Sequence, residues 1–160
     1  IRTVRTEGDE CLRKVCKPVK SVSLRTRILI EDMFDTMYES GGVGLAAPQI
    51  GVLKRIVVMD TDDNQHVLIN PQILEVSGEQ TGYEGCLSIP GKSGIVTRPD
   101  YVKVKALNER GEEYVLEGEG LLARCICHEC DHLDGILYSD KAEGGLINNE
   151  DLPEDEEEEL

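Results

Sequence analysis

The chain has 160 residues, 39% of them apolar, enough for one domain with an ordinary hydrophobic core. Its 32 acidic and 17 basic residues leave a net charge of −15, which excludes a nucleic acid held by charge, because phosphate contacts need clustered Lys and Arg. No apolar run reaches the ~20 residues that span a bilayer, and no leader pattern is expected at the start. Six cysteines at irregular spacing fit a reducing compartment, with the cytoplasm as the default.

Residues 1–22 read as a mixed surface segment carrying Cys11, Cys16 and Pro18. From Ser23 the pattern turns helical. Ile30, Met33, Phe34, Met37 and Tyr38 recur at helical spacing, Ser23 can serve as N-cap, and Gly41-Gly42 stops the helix. The prediction is an amphipathic, core-facing helix with no chemistry of its own. Gly42-Val43-Gly44-Leu45-Ala46-Ala47-Pro48-Gln49 follows, small and apolar with one polar side chain near its end. Such a backbone lets another group approach closely, although for the segment taken alone a tight turn after the helix is the favoured reading.

Residues 55–59 and 67–70 read as buried strands, the second closed by Asn70-Pro71, and residues 73–76 as a short third strand. Residues 82–91, which hold Cys86, form a compact segment bracketed by breakers. Residues 101–107 and 112–117 alternate apolar and polar side chains across Asn108-Glu109-Arg110-Gly111, a strong hairpin signal.

A second helix begins near Leu121 and ends at Gly135. It carries His128-Glu129-Cys130-Asp131-His132. At 100° per residue the two histidines lie about 40° apart, one turn from each other, and can bind one metal ion while Glu129 overhangs the same edge. Leu121 and Cys125 share that stripe. Cys127 and Cys130, about 60° apart, project to the far side. Their C-x-x-C spacing admits a structural zinc or redox reading, but packing is the preferred one. After Lys141 the apolar pattern fades, and the acidic run at 150–159 reads as a solvated tail. The division expected is therefore a catalytic domain at 1–148 and an acidic tail at 149–160. The fold class expected is α+β, with antiparallel strands packed on the His128 helix and the first helix outside.

A catalytic metal takes three protein ligands and leaves a position open. The third ligand is either His66, at an apparent hairpin tip, or Cys86. The Gly/Ser/Pro-rich surroundings of Cys86 suit a backbone that closes around a site and make it the better candidate.

Three segments together, Gly42 to Gln49, Glu84-Gly85-Cys86-Leu87-Ser88 and His128 to His132, resemble the signature motifs of peptide deformylases, in that family's order. The resemblance implies antiparallel sheets around the metal helix and removal of the formyl group from formylmethionine at the start of new bacterial and organellar proteins. It implies that Cys86, His128 and His132 hold Fe(II), with Zn, Ni or Co able to replace it. It further implies that Glu129 moves the proton, and that the Gln49 amide and the Leu87 N–H stabilise the oxyanion. Val43, Leu121 and Cys125 would surround the methionine side chain, and the backbones at Gly44 and Gly85 would pair with the peptide. N-formylmethionyl nascent chains are the implied partners, with transient ribosome contact. The competing readings are a zinc metallopeptidase and an inactive binding module stapled by metal. The chain departs from the family pattern at Cys127, where glutamine is usual, and in its acidic end, where many bacterial members carry a basic helix.

Overall fold

The computed structural model describes residues 1–152 and 160. Helix α1 (Leu24–Glu39) starts at a reciprocal cap: the Thr26 N–H donates to the Ser23 hydroxyl, and the Ser23 N–H to the Thr26 hydroxyl, each at 3.3 Å. A cap of this kind stabilises a helix by ~1 kcal/mol. Leu29, Ile30, Met33, Phe34 and Met37 form its buried face, whereas Tyr38 stays at the rim and donates its O–H to Asp60.

Five antiparallel strands form the larger sheet, in the order β1 (Gly44–Ala46), β2 (Ile56–Thr61), β3 (Asn64–Ser77), β6 (Tyr101–Leu107) and β7 (Glu113–Glu119). Strands β4 (Gln80–Cys86), β5 (Ile89–Arg98) and β8 (Glu143–Asn148) form a second, three-stranded antiparallel sheet. Helix α2 (Gly120–Leu133) packs on one face of the larger sheet and α1 on the other. The pleat divides β2 between them. Val57 and Met59 join the cluster under α2, and Ile56 and Val58 the cluster under α1. A strand covered on both faces must be apolar throughout, which is why residues 56–59 show no alternation.

The β6–β7 hairpin matches its sequence signal, pairing Leu107 with Glu113 and Tyr101 with Glu119. Two other expectations need correction. Residues 67–70 and 73–76 are not separate strands but parts of β3. Asn70 adopts a left-handed φ of 52°, its side chain bonds both the N–H and the carbonyl of Val19 at 2.8 Å, and the pairing with β6 shifts register before resuming at Gln72. Asn70-Pro71 therefore marks a bulge rather than an end. Strands β4, β5 and β8 were legible in the sequence only as a breaker-bracketed segment and a fading pattern. They are rich in Gly and polar residues, and tertiary pairing holds them extended.

Helix α2 ends as expected. The Gly135 N–H bonds the His132 carbonyl and the Ile136 N–H that of Asp131, with Gly135 at φ 75°. A Cβ at Gly135 would also stand 2.5 Å from the Arg13 carbonyl oxygen, so both conformation and space require glycine. The segment at 1–22 straps this end to the sheets: the Cys16 N–H bonds the Leu133 carbonyl, and the Arg5 N–H the Gln49 carbonyl. Among the described residues no helix is long and apolar enough to cross a membrane.

The acidic run falls mostly on residues 153–159, outside the described residues. Leu160 is described, and it is not solvated. It is 1% exposed and belongs to the apolar cluster under α2. That corrects the solvated-tail reading at this residue.

Candidate active site

Three elements converge beside α2. Its last two turns carry His128, Glu129 and His132, all buried. The end of β4 supplies Cys86, and the β1 segment with the following 3-10 turn supplies Gly44 and Gln49. Ligand atoms of Cys86, His128 and His132 lie within 4.8 Å of one another, and the Cys86 Sγ stands 3.4 Å from the His132 Nε2. Among the described residues, the His128 Nε2 and both carboxylate oxygens of Glu129 are buried without a hydrogen-bond partner. Orphaned polar atoms at such a place cost folding free energy unless a ligand satisfies them. A thiolate and two imidazoles match the donor chemistry of a divalent transition metal, so these residues fit one.

Burial and neighbouring charge shift each of these groups. Burial disfavours charge on His128, yet its contacts with the Cys86 sulfur and Glu84 raise its pKa to about 10. Burial holds His132 well below its ordinary value, with the neighbouring His128 adding to the effect, so this imidazole is neutral and free to ligate. Burial lifts the Glu129 carboxyl to about 7, against the opposing pull of His128.

Gly44 sits against the Glu129 carboxylate. A Cβ there would lie 2.5 Å from the Glu129 Oε2 and 2.8 Å from the Cys125 Sγ, so a larger residue would have to displace these side chains. Gln49 is oriented by the backbone: the Ala46 N–H, which can only donate, bonds its Oε1 at 2.9 Å. Its Nε2 therefore faces the site, donating to the Ser88 Oγ at 3.1 Å with the Cys86 Sγ at 3.6 Å. Leu87 forms the turn between β4 and β5, its side chain against Gly42. Val43, Leu121 and Cys125 all belong to or pack on the apolar cluster under α2.

His66 lies elsewhere, in β3 opposite Met59, and is not part of the Cys86 group. Cys127 and Cys130 are free thiols in or against the same apolar cluster, with burial as the main cause of their raised pKa values, and they ligate with none of the gathered residues. The packing reading of this pair is the one the contacts favour.

The profile of the polypeptide deformylase family matches residues 1–145. The chain belongs to this family. A peptide deformylase of Agathobacter rectalis is 59% identical over 156 residues, covering 96% of this chain and 99% of that protein. The crystal structure of a peptide deformylase from Legionella pneumophila superposes with a TM-score of 0.87 at 47% identity, over 90% of this chain and 87% of that one. A peptide deformylase from Synechococcus elongatus, crystallised in complex with actinonin, gives 0.87 at 42% identity over 89% and 81%. The α+β arrangement of antiparallel sheets with two helices is thus the peptide deformylase fold.

One buried group of residues has no role assigned by the sequence motifs. Glu84 accepts from the His128 Nδ1 at 2.8 Å, from Arg98 through two nitrogens at 2.9 Å each, and from the Arg124 Nη1 at 2.6 Å. Arg98 also bonds Asp131, which pairs with Lys141. Burial alone would raise the Glu84 carboxyl, but its bonds to Arg98 and His128 outweigh burial and hold it well below the usual carboxylate range. The ionised carboxylate fixes the His128 ring with Nε2 toward Cys86. One signal was available: Arg124 lies one turn before His128 on the same buried face of α2, and a buried cation demands an anion.

Proposed function

We propose that Cys86, His128 and His132 hold one divalent cation, natively Fe(II), and that Glu129, Gln49 and the Leu87 N–H serve the reaction beside it. As a member of its family the chain is a metal-dependent hydrolase that removes the formyl group from the N-terminal formylmethionine of newly made proteins, releasing formate. The observation carrying the assignment of roles is the buried trio of ligand atoms next to the unpartnered carboxylate of Glu129. When bound, the cation supplies a Lewis acid that polarises the formyl carbonyl and lowers the pKa of water. Thiolate and imidazole donors suit iron and also accept zinc, nickel or cobalt.

The chain's own residues do the rest. Glu129, with both oxygens free and a pKa of about 7, takes the proton from the attacking water and passes it to the leaving amine nitrogen. The Gln49 Nε2, held in position by the Ala46 bond, and the Leu87 N–H donate to the oxygen of the former formyl carbonyl as it gains charge. Val43, Leu121 and Cys125 take the methionine side chain, while the backbones at Gly44, on an edge strand, and Gly85 pair with the extended peptide. Around this site α2 serves as the central metal-binding helix and α1 as an amphipathic support. Residues 1–148 form the catalytic unit and 149–160 its tail. The reaction belongs where nascent chains emerge, the bacterial cytoplasm, with any ribosome contact transient.

Iron-loaded protein prepared without oxygen is expected to release formate from formyl-Met-Ala-Ser and to leave unformylated Met-Ala-Ser intact. No formate above background would sink the reading; cleavage of the unformylated peptide would indicate a metallopeptidase instead. A further expectation concerns Glu84→Gln. Losing the charge that orients His128 should weaken cation affinity by ~10- to 100-fold, measured by competition with a chelator. Unchanged affinity would mean that Glu84 serves only to neutralise Arg98 and Arg124.

A further inference from the structure

Leu160 lies far in sequence from every element of the site, yet it bonds directly to it. Its N–H donates to the Gly85 carbonyl at 3.2 Å, and its carbonyl oxygen accepts from the Leu87 N–H at 3.3 Å. Residue 160 thus bridges the two neighbours of Cys86 in the manner of an added β-strand. These are the groups assigned above to the peptide backbone and to the oxyanion. The Leu160 side chain, 1% exposed, joins the apolar cluster that contains Cys125 and on which Val43 and Leu121 pack. Leucine and methionine are close in volume, so a pocket for one accepts the other.

We propose that Leu160 is a built-in competitor, seated in the substrate cleft in place of the methionyl residue, so that this segment of the chain restrains the activity. This inference rests on the substrate cleft proposed above. A seated Leu160 uses the Gly85 carbonyl and the Leu87 N–H, and neither can serve a substrate until it leaves. Tethering keeps the competitor at an effective concentration of ~mM whatever the enzyme concentration. The polyanionic sequence preceding it, Glu154-Asp155-Glu156-Glu157-Glu158-Glu159, has no apolar side chain to compete for the pocket, so the register is set by Leu160 alone.

The test compares full-length iron-loaded protein with a truncation lacking residues 153–160 and with Leu160→Glu. When only a fraction of the enzyme is open, apparent affinity falls by that fraction, so both variants are expected to show a KM for formyl-Met-Ala-Ser lower by ~3- to 10-fold, with kcat unchanged. The difference should not vary with enzyme concentration, and a synthetic peptide of residues 153–160 should restore part of it to the truncated protein. Hydrogen exchange gives a readout independent of catalysis: the Leu87 amide should exchange ~10-fold faster or more in both variants. Unchanged KM with unchanged Leu87 exchange would overturn the proposal. So would a lower melting temperature with unchanged KM, which would make Leu160 a packing residue only. Formate from none of the three proteins would count against the function rather than the tail, and Leu87 exchange alone would then decide whether Leu160 is seated.

Discussion

Glu129→Ala is expected to keep the cation and to lower turnover by ~100-fold or more, because it removes the proton carrier and none of the ligands. The two oxygens it deletes make no hydrogen bonds, so no partner is left stranded. Gly44 lies close beside this carboxylate. Metal content and formate release, measured on one preparation, decide the outcome. Loss of the metal together with activity would show Glu129 to be a ligand and overturn the division of roles.

Cys86→Ser should behave in the opposite way, losing the metal and activity together. A neutral hydroxyl is a far poorer donor than a thiolate for a site of this softness. Cys86 is fully buried at the end of β4, its Sγ 3.4 Å from the His132 Nε2. Cys127→Ser, whose thiol packs in the core, and Cys130→Ser, whose thiol packs against it, should retain metal and lose at most ~1–3 kcal/mol of stability through buried hydroxyls. Cys125→Ser should retain metal and raise KM, since it makes a wall of the proposed methionine pocket polar. Metal analysis of the four purified variants separates these cases. Metal lost from Cys127→Ser or Cys130→Ser but kept by Cys86→Ser would transfer the site to the C-x-x-C pair.

Local chemistry made parts of this molecule readable from the chain alone. The Ser23 cap, the Gly135 terminator and the Asn108–Gly111 turn each act through their own neighbours, and each stands where its residues require. Helical geometry likewise put His128 and His132 on one face with Glu129 beside them, since a helix converts a spacing of four into adjacency. Only the tertiary structure could decide what long-range pairing controls. Asn70-Pro71 has the form of a strand end, but the bonds from Asn70 to Val19 turn it into a bulge within β3. Residues 80–98 have weak strand character and become β4 and β5 because each pairs with the other. The surroundings of Cys86 favoured it over His66 as third ligand, but its approach to His128 and His132, across 42 or more residues of chain, is something no local pattern encodes. Glu84 gained its meaning only when folding set His128, Arg98 and Arg124 around one carboxylate. Leu160 is the clearest case: following six acidic residues it reads as solvent-exposed, and only a preformed apolar pocket with two free backbone groups can draw it in.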